Sequence, residues 1–254
     1  MLSSGRPQVR IRELEASAKL SRPTVIVGIP EMGLVGTIAA SYLVEQLKLP
    51  EIAFVESDLL PQVVVVRDSE PKEPIRIFGK DSLVVVVSEV PLMAVLSYDL
   101  ASELAKWTKA RQGKMVVGVT GIPSEDRVES AGKKPPTVLA VTNDEATRNS
   151  IKAIGAKPFE HGIIASTYAT LLRRCASLGV PNLTLLAECY AGFPDPGAAA
   201  AALQVLSKLL QIPVDVKRLL DGAEETRLRL RELMNQTQQT IQQEVVQTPT
   251  GVYH

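Results

Sequence analysis

The chain alternates between short β-branched runs and segments whose apolar residues recur at helical spacing. Thr24 to Gly28 (TVIVG) and Leu83 to Ser88 (LVVVVS) are continuous apolar runs, a pattern typical of strands buried on both faces. Between them, residues 33–49 carry apolar positions at helical spacing and end at Pro50, which stops a helix. This alternation predicts right-handed crossovers and an α/β fold, a layered sandwich with a mixed, mostly parallel sheet.

The same two patterns predict the remaining elements as far as residue 210. Further strands are expected at 52–56, 62–67, 75–79, 115–120, 137–142 and 183–188, and further helices at 99–111, 146–154, 167–178 and 197–210. The strands at 62–67 and 75–79 are expected to pair as a hairpin, which would make the sheet mixed.

The C-terminal part of the chain has a different character. After Pro213, residues 214–246 contain no proline and one glycine, Gly222. The positions at alternating four- and three-residue steps form a heptad seam, made of Leu219, Ala223, Thr226, Leu230 and Leu233. We therefore divide the chain into an α/β domain at 1–212, a helical extension at 213–246 and a flexible tail at 247–254. The seam is expected to pack against a second subunit, and a solvated surface helix is the alternative.

The amino-acid composition of the chain excludes several classes of binding partner. The 28 Lys and Arg residues balance 28 Asp and Glu residues, which excludes a chain-wide basic field for nucleic acid. No apolar run approaches the roughly 20 residues that span a bilayer, so we expect no membrane partner. Cys175, Cys189 and two histidines lack metal-ligand spacing, so no metal is expected. Two thiols in a chain of 254 residues favour a reducing, cytoplasmic location.

The turn after the first predicted strand, GIPEMGLVG, invites comparison with dinucleotide-binding loops. Glu31 stands where the first glycine of that fingerprint belongs, and a carboxylate there would repel a pyrophosphate. We interpret the glycines as allowing a tight turn and close helix–sheet packing, and we expect no cofactor.

Carboxylates follow several predicted strands. Glu31, Glu89 and Glu188 lie at or just beyond the carboxyl ends of strands, where open α/β sheets form ligand crevices. Glu89 or Glu188 would act as a general acid or base if burial raised its pKa. No Ser/His/Asp set accompanies these glutamates, so no catalytic residue is assigned. An enzyme or binding protein for a nucleoside-like small ligand at the strand ends is therefore the alternative function.

The chain ends in Val252, Tyr253 and His254. Together these residues present an apolar anchor, an aromatic ring and an α-carboxylate, and capture of a terminal carboxylate in a pocket is a known recognition mode. Eight extended residues, 247–254, reach about 26 Å, which is enough to enter a groove on a neighbouring protein.

The segments VIVGIPEMGLVGTIAASYLVEQL, VVVVSEVPL, VVGVTGIPSED, TVLAVTND and LTLLAECYAGFPDPGAAAAALQVLSKLLQIPVDV resemble the proteasome assembly chaperone family in its archaeal form. The match is collinear from Val25 to Val216. GIPEMGLVG and PDPGAAAAALQVLSKLL are its most characteristic parts.

This resemblance implies a nucleoside-phosphorylase-like fold without catalytic groups, hence no enzyme, and an ATP-independent chaperone of proteasome core-particle assembly that also acts as an activator. The end of the chain is similar to the hydrophobic–tyrosine–any tails of proteasomal ATPases. By that likeness Val252 is the apolar anchor, Tyr253 the ring that stabilises an α-ring pocket, and the His254 carboxylate the partner of a pocket lysine. Archaeal relatives are homo-oligomers, some tetrameric and some pentameric. A scaffold that pairs with a paralogue while its tail is idle is a third alternative.

Overall fold

The β-branched runs form the strands of one large sheet, in a computed structural model that describes residues 9–125, 127, 135–223, 225, 228 and 232. The strands are β1 (Arg10–Glu13), β2 (Thr24–Gly28), β3 (Glu51–Glu56), β4 (Val65–Arg67), β5 (Glu70–Lys72), β6 (Ile75–Lys80), β7 (Leu83–Ser88), β8 (Met115–Pro123), β9 (Val138–Thr142), β10 (Lys157–Pro158) and β11 (Asn182–Cys189). The α-helices are α1 (Val35–Leu47), α2 (Ala94–Ala110), α3 (Glu145–Ser150), α4 (Ser166–Leu178), α5 (Pro196–Leu210) and α6 (Lys217–Asp221), and 3-10 turns lie at Glu15–Lys19 and Met32–Leu34.

The main sheet is mixed, as the sequence predicts. Its nine strands lie in the order β1-β3-β6-β7-β2-β8-β11-β9-β10. The central strands β7, β2, β8 and β11 are parallel, whereas β1, β3 and β6 pair antiparallel on one side. The predicted α/β class is confirmed.

Helices cover both faces of the sheet. Along β2, Ile26 packs into a core with α1 and α5, while Val25 and Val27 pack into a second core with α2 and α4. Successive residues of a strand point to opposite faces, so a strand covered on both sides must be apolar throughout. This explains the continuous runs in β2 and β7.

The predicted hairpin between residues 62–67 and 75–79 is wrong. β4 pairs with β5 in a separate two-stranded sheet, and β6 lies between β3 and β7. Burial explains the difference, because Ile75 and Ile77 are fully buried in the core whereas Val66 is 63% exposed. Helix α2 begins at Ala94 rather than Asp99, and the short strands β1, β5 and β10 have no counterpart among the predictions.

The C-terminal extension begins helically at Lys217 rather than Val214. Leu219 is buried against the core of its own subunit. Beyond α6, helical backbone is described at Ala223, Glu225, Leu228 and Glu232. The predicted seam positions Thr226, Leu230 and Leu233 and the tail positions Val252, Tyr253 and His254 lie outside the described residues. The division of the chain at 212 and 246 stays a prediction.

Within the described ranges, no helix combines the length and the apolar character needed to cross a membrane.

Candidate functional site

The four parallel strands end side by side, at what we call the carboxyl end of the sheet. The turn that follows β2 lies at its centre and has left-handed backbone at Gly33 (φ 63°) and Leu34 (φ 49°). The Ser166 hydroxyl at the start of α4 donates to Glu31 Oε1 at 2.6 Å, and the Asp195 N–H donates to the Gly33 carbonyl at 2.8 Å. This turn therefore joins α4 and the segment before α5.

Glycines in this region allow the backbone to pack closely. A Cβ on Gly28 would overlap the Gly36 carbonyl oxygen, and a Cβ on Gly36 would overlap the Val119 carbonyl oxygen. The interpretation of GIPEMGLVG as a close-packing turn is confirmed.

Tyr168 packs against Gly36 and Gly118, where a Cβ would collide with it. It is fully buried, and a Cβ on Gly118 would lie 2.7 Å from its ring. Its hydroxyl oxygen accepts a hydrogen bond from the Ile29 N–H at 3.0 Å, and its O–H donates to the Val27 carbonyl oxygen at 3.4 Å. Burial and the nearby Glu31 raise the pKa of Tyr168, so it remains a neutral hydrogen-bonding residue that ties α4 to the end of β2.

Glu31 accepts the hydrogen bonds of free donor groups at the N-terminus of α4. The residue before this helix, Ala165, offers no side-chain cap, and Glu31 accepts hydrogen bonds from Ser166 and Thr167. A carboxylate at a helix N-terminus is stabilised by the free N–H groups and by the helix dipole. Burial raises the pKa of Glu31, and the hydrogen bonds from Ser166, Thr167 and Thr120 partly oppose that rise.

The other two carboxylates of the predicted crevice also have partners within the chain. Glu89 forms ion pairs with Arg67 and Arg76, and Glu188 accepts the Thr137 N–H at 3.1 Å. The three glutamates thus lie at the carboxyl end as predicted, but each stabilises a different local contact. They do not form one acid–base cluster.

The thiols are also unsuited to chemistry. Cys175 and Cys189 are fully buried, and burial raises the pKa of each to about 12. Both cysteines pack as small core residues. Among the described residues, no group of three or more His, Cys, Asp or Glu side chains is placed to hold a metal.

A buried ion pair between Arg127 and Asp195 was not predicted from the sequence. The two side chains are 8% and 1% exposed and form two hydrogen bonds of 2.9 Å. Asp195 also caps α5 by accepting the Ala198 N–H at 3.0 Å, and the Arg127 guanidinium lies 5.0 Å from the centre of the Tyr190 ring. The Asp-Pro-Gly before an Ala-rich run is a readable N-cap signal, but the partner 68 residues away has no local signature.

Comparison with known proteins identifies the family. The PAC2 family profile matches residues 25–234 of this chain. The chain belongs to the PAC2 family. An uncharacterized protein of Methanocaldococcus jannaschii is 27% identical over 222 residues, which cover 87% of this chain and 90% of the relative.

Two solved PAC2-like structures share the fold. Pyrococcus furiosus PbaA, described as an archaeal homolog of proteasome-assembly chaperone, has 26% identity and a TM-score of 0.81, and the match covers 91% of this chain and 98% of PbaA. P. furiosus PbaB, described as an archaeal proteasome activator, has 22% identity and a TM-score of 0.74, over 90% of this chain and 99% of PbaB. The PbaB likeness shows the fold alone.

Exposed apolar side chains of this PAC2-family chain gather around the same central turn. Six large ones occur where the chain leaves β2, β7 and β11 or enters α2 and α4, and together we call them the carboxyl-end surface: Met32, Met93, Val95, Tyr98, Ile163 and Phe193. They are between 48% and 92% exposed. The sequence does not reveal this surface, because its residues come from separate parts of the chain that only the fold brings near one another.

The C-terminal extension starts beside α1, on the face of the sheet opposite α2 and α4. Helix α5 begins beside the carboxyl end, where the Asp195 N–H meets Gly33, and leads back to residues 211–216. The Tyr42 hydroxyl donates to the Asp215 carbonyl at 2.5 Å and holds that segment against α1. The segment that leads into α6 is therefore attached beside the middle of α1.

Proposed function

We propose that this chain is an ATP-independent chaperone of proteasome core-particle assembly. It docks its C-terminal Val252, Tyr253 and His254 into pockets of the α-ring and also opens the particle's gate as an activator. The observation that carries the proposal is the likeness to PbaA, a homolog of proteasome-assembly chaperone, along 98% of that protein's length. No nucleic acid, membrane, metal or cofactor takes part.

The chemistry of the tail suits this role. Val252 supplies an apolar anchor, Tyr253 a ring that stabilises the pocket, and the carboxylate of His254 an ion pair with a pocket lysine. A single tail of this size binds weakly, whereas several tails on one oligomer gain a factor of about 10²–10⁴ in overall affinity. A homo-oligomer, as a tetramer or pentamer, therefore supplies the strength that one tail lacks.

The helical extension contributes to that assembly in this proposal. The seam positions Ala223, Thr226, Leu230 and Leu233 continue the stripe that starts at Leu219. Because Leu219 is buried in the core of its own subunit, it fixes where the helix leaves the body, and the later positions are the ones available to a neighbouring copy.

The body of the protein acts as a scaffold rather than an enzyme in this proposal. Each of the three glutamates interacts with a group of its own chain. Glu31 accepts a hydrogen bond at the start of α4, Glu89 pairs with two arginines, and Glu188 accepts an N–H at the end of a loop. A catalytic carboxylate must instead be directed at a substrate. These contacts favour the chaperone over the alternative of a nucleoside-like ligand at the strand ends.

Co-purification with the cognate α-ring tests the role of the tail. We expect the intact chain to bind, a chain lacking Val252 to His254 to lose binding, and Tyr253→Ala to weaken it at least tenfold. His254→Ala is the matched control, because it changes a side chain of the tail but keeps the terminal carboxylate. Equal binding by the intact and shortened chains would remove the tail from the mechanism.

Hydrolysis of a short fluorogenic peptide by the assembled core particle tests the activator role separately. The intact chain is expected to speed hydrolysis and the shortened chain is not. Binding without faster hydrolysis would leave assembly as the chain's function and exclude gate opening.

A further inference from the structure

We infer that the carboxyl-end surface is where a second copy of this chain binds. This inference rests on the proposed function, because binding through several tails requires several copies, and it adds a contact between copies on the body to the one proposed for the C-terminal helix. The surface consists of Met32, Met93, Val95, Tyr98, Ile163 and Phe193.

The fold brings these side chains together around Met32. The turn that carries Met32 is bound to the start of α4 through Glu31 and to the segment 190–195 through Gly33. Ile163 precedes α4, and Phe193 lies in the segment 190–195. Val95 and Tyr98 occupy the first two turns of α2, which packs beside α4 on the same face of the sheet.

The exposed area suits a subunit contact. Tyr98 and Phe193 are 52% and 53% exposed, and because an aromatic side chain offers 150–250 Å², each leaves on the order of 100 Å² open. The Ile163 side chain is 92% exposed and the other side chains are about half exposed. Together the six expose on the order of 600 Å² of apolar area, which lies at the top of the usual range for the largest apolar patch of a monomer. A standard interface takes about 800 Å² from each partner.

The chemistry of the surface favours a copy of itself over a charged partner. Methionine and aromatic side chains are enriched in interface centres and charged ones are depleted there. Three charged groups at the strand ends are hydrogen-bonded or paired within the chain: Glu31 with Ser166, Glu89 with Arg67 and Arg76, and Arg127 with Asp195. An apolar centre of this kind is complementary to the same surface on another copy.

The rim of the surface is polar. Glu160 and His161 are exposed just before Ile163, and Glu125 is exposed after β8. An apolar centre with a polar rim is the usual arrangement of an interface.

Native mass spectrometry of the full chain tests the inference. Val95→Glu and Tyr98→Glu place a carboxylate on the surface, and we expect each to shift the protein from the oligomer to the monomer. Leu220→Glu is the matched control, because Leu220 is a similarly exposed leucine (47%) on α6, and it is expected to leave the mass unchanged. A monomeric wild type, or an unchanged mass for both surface variants, would overturn the inference.

Thiol labelling provides a second measurement that does not depend on dissociation. Both native cysteines are fully buried, so a cysteine introduced at an exposed position dominates the reaction with a maleimide. Val95→Cys is expected to react at least tenfold more slowly than Leu220→Cys in the native oligomer, with the two rates becoming similar after unfolding. Equal rates in the native state would contradict a contact at this surface.

The α-ring pull-down separates this inference from the proposed function. If the surface variants keep their mass while tail removal still abolishes binding, the docking role stands and the contact between copies lies elsewhere. If a monomeric wild type binds the α-ring and Tyr98→Glu abolishes that binding, the surface belongs to the α-ring and the inference is wrong.

Discussion

Gly36 shows how a single missing side chain sets the spacing between helix and sheet. In an ordinary helix, alanine is more favourable than glycine by about 1 kcal/mol. At this position a Cβ would overlap the backbone oxygen of Val119, and backbone of a central strand cannot move aside cheaply. Gly36→Ala is therefore expected to lower the free energy of unfolding by about 1–3 kcal/mol, as overpacking does.

Urea unfolding measures this effect. Gly192→Ala is the control, since a Cβ there would meet nothing within 4 Å, and its stability is expected to stay within about 0.5 kcal/mol of the wild type. A higher free energy of unfolding for Gly36→Ala would contradict this prediction, because it would show that the backbone of β8 moves to make room for the added Cβ.

The pair Arg127–Asp195 gives a second prediction for individual residues. Arg127→Ala leaves Asp195 buried without its counter-charge, and breaking one side of a buried pair costs about 3–5 kcal/mol. Arg12→Ala breaks a pair whose side chains are 49% and 52% exposed, for which the cost is at most about 1 kcal/mol. Equal losses of stability in the two variants would contradict the buried character of the first pair.

Glu31 makes stability depend on pH. Its pKa in the folded chain is raised above the ordinary 4.5, mainly by burial, so the native state holds the proton more tightly than the unfolded state. Its contribution to stability is therefore largest at low pH and falls as the pH rises through 4.5 toward the raised value. Glu31→Gln removes this titration.

The prediction is checked by urea unfolding of both proteins from about pH 4 to about pH 7. The wild type is expected to lose stability relative to Glu31→Gln as the pH increases. A difference that stays constant across this range would exclude a raised pKa at Glu31.

At the scale of elements, the Tyr42–Asp215 hydrogen bond holds the start of the C-terminal extension against α1. Tyr42→Phe removes one hydrogen bond, which contributes about 0.5–1.5 kcal/mol, and leaves the ring in place. Hydrogen exchange of the backbone of α6 is expected to become roughly tenfold faster, while that of α1 stays unchanged. Unchanged exchange in α6 would show that the burial of Leu219 alone holds the helix.

The elements differ in how far the sequence predicts them. Continuous apolar runs predict β2 and β7, because a strand covered on both faces is apolar throughout, and apolar residues at helical spacing predict α5 at 197–210. β4 and β6 were mispaired because β-branched composition does not tell which strand is buried in the main sheet. The side chains that determine pairing come from distant parts of the chain.

The candidate site shows the same limit. The sequence places Glu31, Glu89 and Glu188 at strand ends, and they lie there. Their partners Ser166, Arg76 and Thr137 come from elements that only the fold brings near. The carboxyl-end surface likewise depends on bringing residues together from four separate segments.

For the whole molecule, tail and body are expected to act together. Tyr98→Glu keeps Val252 to His254 intact, yet as a monomer it presents one tail instead of several. Its apparent affinity for the α-ring is expected to fall by about 10²–10⁴, measured by surface-immobilised titration with Leu220→Glu as control. A monomeric variant that binds as tightly as the wild type would show that one tail is enough.

The first turn of α6 and helix α2 lie on different faces of the sheet, because Leu219 packs into the core with α1 whereas α2 packs into the second core. Copies that meet through Val95 and Tyr98 of α2 therefore keep the roots of their C-terminal extensions on the far face of each sheet. That face stays clear of the contact and open to a large partner.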